Sequence, residues 1–292
     1  MTRKPNAIPG GGAMPIDRMK NDKSNISSSG LVFSEITNFN GHADMPSGTS
    51  IFDPVLCELV YRWFCPAAGS ILDPFAGGSV RGIIASELGR DYTGIDLRPE
   101  QVAANIKQGE SICTGIQPRW IIGDSTNVAE LVDPGSKFDL VFSCPPYADL
   151  ERYSDDPADL STMTYDAFIA AYRVIIHDCV ALLRDNRFAC FVVGDIRDKK
   201  GFYRNFVSDT INAFEDAGAL LYNEAILVTQ VGSLPIRIGK QFGRYRKLGK
   251  THQNVLVFYK GDIKAIPDEF GEVEYGLELP DGVEDEDEEL SE

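Results

Sequence analysis

The chain has 292 residues, of which 43% are apolar, and 28 basic residues face 44 acidic ones, a formal net charge of −16. That is enough for one large α/β domain with additional segments, or at most two small domains. No run of 18 apolar residues occurs, so no transmembrane helix is expected, and residues 1–19 lack the continuous apolar stretch of a signal peptide, so a cytoplasmic protein is expected.

The acidity is uneven. Thirteen acids and no bases fall between Asp268 and Glu292; removing them from 44 leaves 31 acids against 28 bases, a net charge of −3. Residues 266–292 therefore read as a solvated, disordered acidic tail, with a DNA-mimicking brake as the other reading. The six cysteines form no C-x-x-C pair, and none of the three histidines has ligand spacing to a cysteine. Free buried thiols and no metal site are expected.

In chain order, residues 1–45 are rich in Gly, Pro, Ser and Asn and read as a disordered arm. Leu56, Leu59, Val60 and Trp63 follow Asp53-Pro54 at helical spacing, with Asp53 as cap and Pro54 in the first turn. Short apolar runs at 70–75, 92–96, 120–123, 138–143 and 188–195 read as buried strands. Helical patterns separate them at 80–88, 99–112, 127–132 and 165–183. A further helix is expected at about 204–217, then strands at 220–230 and 254–259. The alternation predicts a parallel sheet covered by helices on both faces. The last two strands, with no helix expected between them, predict an antiparallel terminal hairpin. The α/β domain that these elements build is placed at 46–265.

The first strand ends in Asp73-Pro74-Phe75-Ala76-Gly77-Gly78-Ser79. In a doubly wound sheet ligands lie at the carboxyl ends of strands near the switch point, and Gly77 and Gly78 let the backbone pass close beneath one. The second strand ends at Asp96, placed to accept hydrogen bonds from ribose hydroxyls. The third ends in Gly123-Asp124-Ser125, where a carboxylate can take an adenine amino group. Each acid taken alone can equally be a helix cap. A nicotinamide dehydrogenase fits the spacing less well, because the first turn is not G-x-G-x-x-G.

The fourth strand ends in Ser143-Cys144-Pro145-Pro146-Tyr147, the most specific feature of the chain. Two prolines remove two backbone donors and stiffen the turn. Its carbonyls are then free to accept from the amino group of a flipped base, with Tyr147 stacking on the base face. A strand-ending turn with a core tyrosine is the plainer reading.

These two motifs resemble those of DNA amino-methyltransferases, which carry D-P-F-x-G-S-G and [D/N/S]-P-P-Y. The wider sequence is similar to DNA methylases of phages and mobile elements, some fused to ParB-like nuclease domains. The similar stretches are residues 50–64, 73–82, 92–105, 143–161 and 246–262. The order of motifs, cofactor loop first, resembles the gamma-type arrangement.

The resemblance implies a Rossmann-like class I methyltransferase with a seven-stranded, mostly parallel sheet and S-adenosylmethionine as cofactor. The cofactor set it implies is Asp73, Phe75, Gly77, Gly78, Asp96, Asp124 and Ser143. The catalytic set is Cys144, Pro145, Pro146 and Tyr147, where the first residue and the first proline's carbonyl hold the amino nitrogen and Tyr147 stacks. Cys144 departs from the pattern: a thiol accepts more weakly than Asp, Asn or Ser. Adenine N6 and cytosine N4 remain open as targets. So do RNA as substrate and a degenerate cofactor-binding protein. A covalent cytosine-C5 mechanism fits poorly, because Cys144 precedes the prolines.

Two segments are expected to meet DNA. Residues 148–164, with five acids, read as a mobile lid. Residues 231–253 contain Arg237, Lys240, Arg244, Arg246, Lys247 and Lys250 and no acid, with Phe242 and Tyr245 interleaved. They read as a basic hairpin tip contacting phosphate, extended by Lys199, Lys200 and Arg204.

Overall fold

The computed structural model describes residues 52–147, 158–229 and 234–271. The arm expected at 1–45, most of the expected lid and the acids beyond Gly271 lie outside them.

The described residues open with α1 (Pro54–Phe64). The Asp53 carboxylate caps it by accepting from the Val55 and Leu56 amides, and Pro54 sits where an N–H has no helical partner anyway. Cys57, Val60 and Tyr61 form its buried face. Strand–helix alternation follows: β1 (Ser70–Asp73), α2 (Val80–Glu87), β2 (Asp91–Asp96), α3 (Pro99–Ile112), β3 (Arg119–Ile122), α4 (Val128–Leu131) and β4 (Phe138–Ser143). Then come α5 (Tyr165–Leu182), β5 (Leu183–Val193), α6 (Phe206–Asp216), β6 (Leu220–Val228), α7 (Leu234–Tyr245), β7 (His252–Lys260) and the short α8 (Ile266–Phe270).

One seven-stranded sheet has the order β3-β2-β1-β4-β5-β7-β6. Strands β1 to β5 pair in parallel, and β7 runs antiparallel to both β5 and β6. The β7 strand is thus inserted between β5 and β6, and β6 becomes the outer edge. Chain direction along the sheet reverses between β1 and β4, which makes the gap between their carboxyl ends the switch point.

The core follows the burial pattern. Phe168, Tyr172, Ile175, Ile176, Cys179 and Val180 recur at three- and four-residue spacing and bury one side of α5. Phe214 of α6 stacks on Phe258 of β7 at 4.0 Å, and Phe191 of β5 meets Phe214 edge-on at 4.8 Å. Burying such a ring contributes roughly 1.5–3 kcal/mol. No cysteine is in a disulfide; five are buried and Cys144 is half-buried.

Two expectations need correction. The connection between β6 and β7 is not a bare hairpin tip but contains α7. Its Pro235 lies in the first turn, where proline is tolerated, and Ile238, Phe242 and Tyr245 recur at helical spacing opposite Lys240 and Arg244. The acidic tail also begins later than composition suggests. Residues 266–270 form α8, Glu269 pairs with Arg187 at 2.7 Å, and Phe270 packs on Phe188 at 5.1 Å.

Candidate cofactor and catalytic site

The loop after β1 and the loop after β4 meet at the switch point, and a buried network joins them. The Ser143 hydroxyl donates to Asp73 Oδ1 at 2.5 Å and accepts from the Phe75 amide at 3.2 Å. Asp73 also accepts from the Phe75 amide at 3.1 Å, from Arg81 Nε at 2.6 Å and from the Tyr92 hydroxyl at 2.7 Å. Both Asp73 and Ser143 have no exposed surface. Their side chains, expected to touch the cofactor, are instead saturated from within and brace the loop from below.

Arg81 completes the brace. It is buried, donates through Nη2 to the Phe75 and Ala76 carbonyls at 2.6 and 3.0 Å, and lies 4.6 Å from the Phe52 ring. A charged guanidinium in the interior needs such an anion and such acceptors. Composition gives no signal for Arg81; its place eight residues after Asp73, on the first turn of α2, is the only sign of it in the sequence.

The glycine turn lies above this brace. Gly77 has φ +50°, a conformation that costs glycine little and other residues more. Its amide donates to Asp96 Oδ2 at 3.0 Å, and its carbonyl accepts from Asn105 Nδ2 at 2.7 Å. Gly78 is exposed, and a Cβ built there meets nothing within 4 Å. Phe75 is half-buried and packs towards Tyr172 and Phe191 at 6.1 and 6.5 Å.

Asp96 ends β2, half-buried, and also accepts from the Arg98 amide at 2.9 Å. Burial raises its pKa above the ordinary aspartate range, against the lowering effect of those amides and of Arg98. Asp124 is half-buried and caps the turn 125–127 through the Thr126 amide at 2.9 Å. The capping role anticipated for Asp124 is therefore present. The three strand ends do converge: the Gly123 amide bonds the Asp96 carbonyl at 3.1 Å and the Ala76 amide bonds the Ile95 carbonyl at 2.9 Å.

In the second loop Pro145 is buried, while Cys144, Pro146 and Tyr147 are half-buried. The Tyr147 ring sits edge-on to Phe206 at 6.2 Å. Its hydroxyl accepts a hydrogen bond from Gln253 Nε2 of β7, with the Cys144 side chain nearby. Burial, with Cys144 nearby, holds the phenol well above its usual range, so it stays protonated. Gln253 was not anticipated, because only the tertiary insertion of β7 beside β5 brings it to this loop.

The basic residues divide. Lys240 and Arg244 are exposed on α7, beside the exposed Phe242 and Tyr245, and neither forms an ion pair with another described residue. Arg246 has φ +55° and returns its Nη1 to the Phe242 and Gly243 carbonyls at 3.2 and 2.9 Å, closing the helix end. Lys247 lies over the Tyr245 ring at 5.7 Å and against Gly201. Lys250 pairs with Asp195 at 3.9 Å. Arg237 falls on α7, with its side chain outside the described part. Contact between Gly201 and Lys247 brings the exposed Lys199 and Lys200 turn alongside this segment.

A hollow of about 360 Å³, lined by Ser70, Asp91, Arg119, Asp133 and Arg184 among others, lies at the amino ends of the strands. It is at the wrong end of the sheet for the glycine turn, and Arg119 and Asp133 pair there at 2.7 Å. No group of side chains suited to a metal ion occurs among the described residues, and no described helix is long and apolar enough to cross a membrane.

No family model and no curated protein matches the sequence. Solved structures do. A methyltransferase from Pyrococcus furiosus aligns with a TM-score of 0.50 at 13% identity, over 78% of this chain and 94% of that one. TrmN from Thermus thermophilus aligns at 0.47 and 13% identity over 72% of this chain, which spans 49% of its length. A TehB-like SAM-dependent methyltransferase from Corynebacterium glutamicum aligns at 0.42 and 18% identity, over 73% and 90%. With the strand order and the single antiparallel β7, the chain has the Rossmann-like fold of the class I S-adenosylmethionine-dependent methyltransferases.

Proposed function

We propose that this protein transfers a methyl group from S-adenosylmethionine to the exocyclic amino group of a flipped base in DNA, at adenine N6 or cytosine N4. The observation that carries the proposal is the meeting of Cys144-Pro145-Pro146-Tyr147 with the braced glycine turn at one switch point.

The residues present fit the cofactor. The open space over Gly78 admits a ligand close to the backbone, and Asp96 offers a carboxylate for the ribose hydroxyls. Asp124 Oδ1 caps a turn, and its second oxygen would accept from an adenine amino group. When bound, S-adenosylmethionine supplies an electrophilic methyl group on a sulfonium.

The chain's own part is then positioning and electrostatics, with no covalent intermediate. Tyr147 offers an aromatic face, worth roughly 1–3 kcal/mol to an extruded base. The proline carbonyls and the Cys144 sulfur are the acceptors for the amino N–H groups, and neither proline has a donor to compete. The exposed cations of α7 provide the phosphate contact, and the helix supplies aromatic side chains beside them.

The test is incubation with labelled S-adenosylmethionine and either plasmid DNA or RNA, followed by nucleoside analysis by mass spectrometry. N6-methyladenine or N4-methylcytosine in DNA is expected, and Cys144→Ser should retain activity. Product found only in RNA would move the substrate there. 5-Methylcytosine, or enzyme trapped on 5-fluorocytosine DNA, would overturn the direct-attack mechanism. Cofactor binding without any transfer would leave the degenerate reading.

A further inference from the structure

The four-residue catalytic loop is held from outside itself. The Gln253 carboxamide, near the start of β7, donates through Nε2 to the Tyr147 hydroxyl. A β-carbon built on Gly194, just past the end of β5, would lie 3.8 Å from both Gln253 Cγ and the Tyr147 hydroxyl. Three separate segments, β5, β7 and the loop after β4, therefore converge on this one oxygen.

The direction of the bond matters. A phenol oxygen that accepts from an amide has its own proton free to point elsewhere. Here the neighbour is Cys144, three residues earlier on the same loop, whose side chain is near enough to act on the phenol. That proximity lets the phenol proton clasp the last residue of the tetrapeptide to the first, and the Gln253 donor fixes the sense of the clasp. The Phe206 edge against the Tyr147 ring limits its swing from the other side.

We infer that Gln253 is a positioning residue for the catalytic loop: its amide donor orients the Tyr147 hydroxyl towards Cys144 and so sets both the stacking face and the acceptor. This rests on the proposed amino-methyltransferase reading for its consequence, but not for its geometry. Gln253 itself need touch neither base nor cofactor.

Two readouts test it. In the first, methyl transfer is measured for Gln253→Leu, Tyr147→Phe and the double variant of the full chain. Gln253→Leu should lower kcat by about tenfold with cofactor affinity unchanged, as expected for a misplaced reacting group. The double variant should be no worse than Tyr147→Phe alone. Gln253→Glu keeps the size but only accepts when ionised, so its activity should recover as pH falls towards the ordinary glutamate pKa of about 4.3.

The second readout needs no activity. Cys144 is half-buried while the other five cysteines are buried, so its alkylation rate can be followed by peptide mass mapping. Gln253→Leu and Tyr147→Phe should each raise that rate several-fold, and together no further. Additive losses in kcat, or an alkylation rate indifferent to Gln253, would overturn the inference. A wild-type protein that transfers no methyl group, yet shows the coupled alkylation, would overturn the proposed function and leave the clasp standing.

Discussion

The two sides of the sheet solve different physical problems. Around β1, β2 and β4 the polar groups nearest the proposed cofactor site are buried and bonded: Asp73 alone accepts from Phe75, Arg81, Tyr92 and Ser143. Along β6 and α7 the surface is open. Leu220, Ile226 and Val228 are exposed on the edge strand, and Lys240, Arg244, Phe242 and Tyr245 on the helix. A small ligand needs a preformed cradle, because any ordering it must impose weakens binding. A polyanion needs cations at long range, and exposure costs nothing there because water solvates them until phosphate arrives. The contrast predicts that substitutions on the first side act through stability, and on the second through salt-dependent binding.

The largest effect should come from breaking the brace. Arg81→Met leaves the Asp73 carboxylate buried without its cation and removes the donors to the Phe75 and Ala76 carbonyls. Removing one partner of a buried pair costs about 3–5 kcal/mol. Denaturant titration should show a loss of that size, against roughly 0.5 kcal/mol or less for Lys240→Ala with Arg244→Ala, since surface changes rarely exceed that. A loss under about 1 kcal/mol for Arg81→Met would show that the network relaxes and would erase the distinction.

The next effect lies on the helix. Replacing Lys240 and Arg244 together by Ala should flatten the dependence of log affinity on log salt by roughly 1.8, at about 0.9 for each phosphate that is no longer neutralised. Cofactor affinity, measured by calorimetry, should hold. Arg246 is a poor choice for this test, because it closes the end of α7 and its loss would fray the helix. An unchanged slope would place the nucleic-acid path elsewhere.

Strands β1 to β4 were legible in sequence because short apolar runs, each ended by Gly, Asp or Pro, are both local and repeated. The glycine turn and the Pro-Pro turn were legible for the same reason. What escaped was tertiary. That Asp73 and Ser143 face inward depends on Arg81 and Tyr92 closing over them from other elements. Gln253 reaches Tyr147 only because β7 inserts between β5 and β6. The α7 helix escaped differently: its apolar spacing at Ile238, Phe242 and Tyr245 was present, but glycines, Pro235 and the density of cations read as a loop. The strand β5 begins at Leu183 rather than 188 because Leu183 pairs with Phe138 of β4 and Arg187 with Lys260 of β7, partners invisible from local composition.

Asp96 gives the smallest effect, and it separates binding from stability by pH. Asp96→Ala should weaken S-adenosylmethionine about tenfold, near 1.4 kcal/mol, by removing the ribose acceptor. Burial raises its folded pKa above 3.8, and the Arg98 and Gly77 amides reduce that rise without cancelling it. The sign then runs in opposite directions for the two measurements. A carboxyl whose pKa is raised on folding binds protons more tightly folded than unfolded, so its contribution to stability is present at low pH and is lost as pH climbs through the folded value. Cofactor binding requires the ionised acceptor, so affinity should fall as pH drops through that same value, above the ordinary aspartate range. Calorimetric titrations across this window should show the wild-type affinity declining on the acid side while the Asp96→Asn profile stays flat and uniformly weaker. An identical acid limb in the two proteins would assign the titration to another group and detach Asp96 from the ribose.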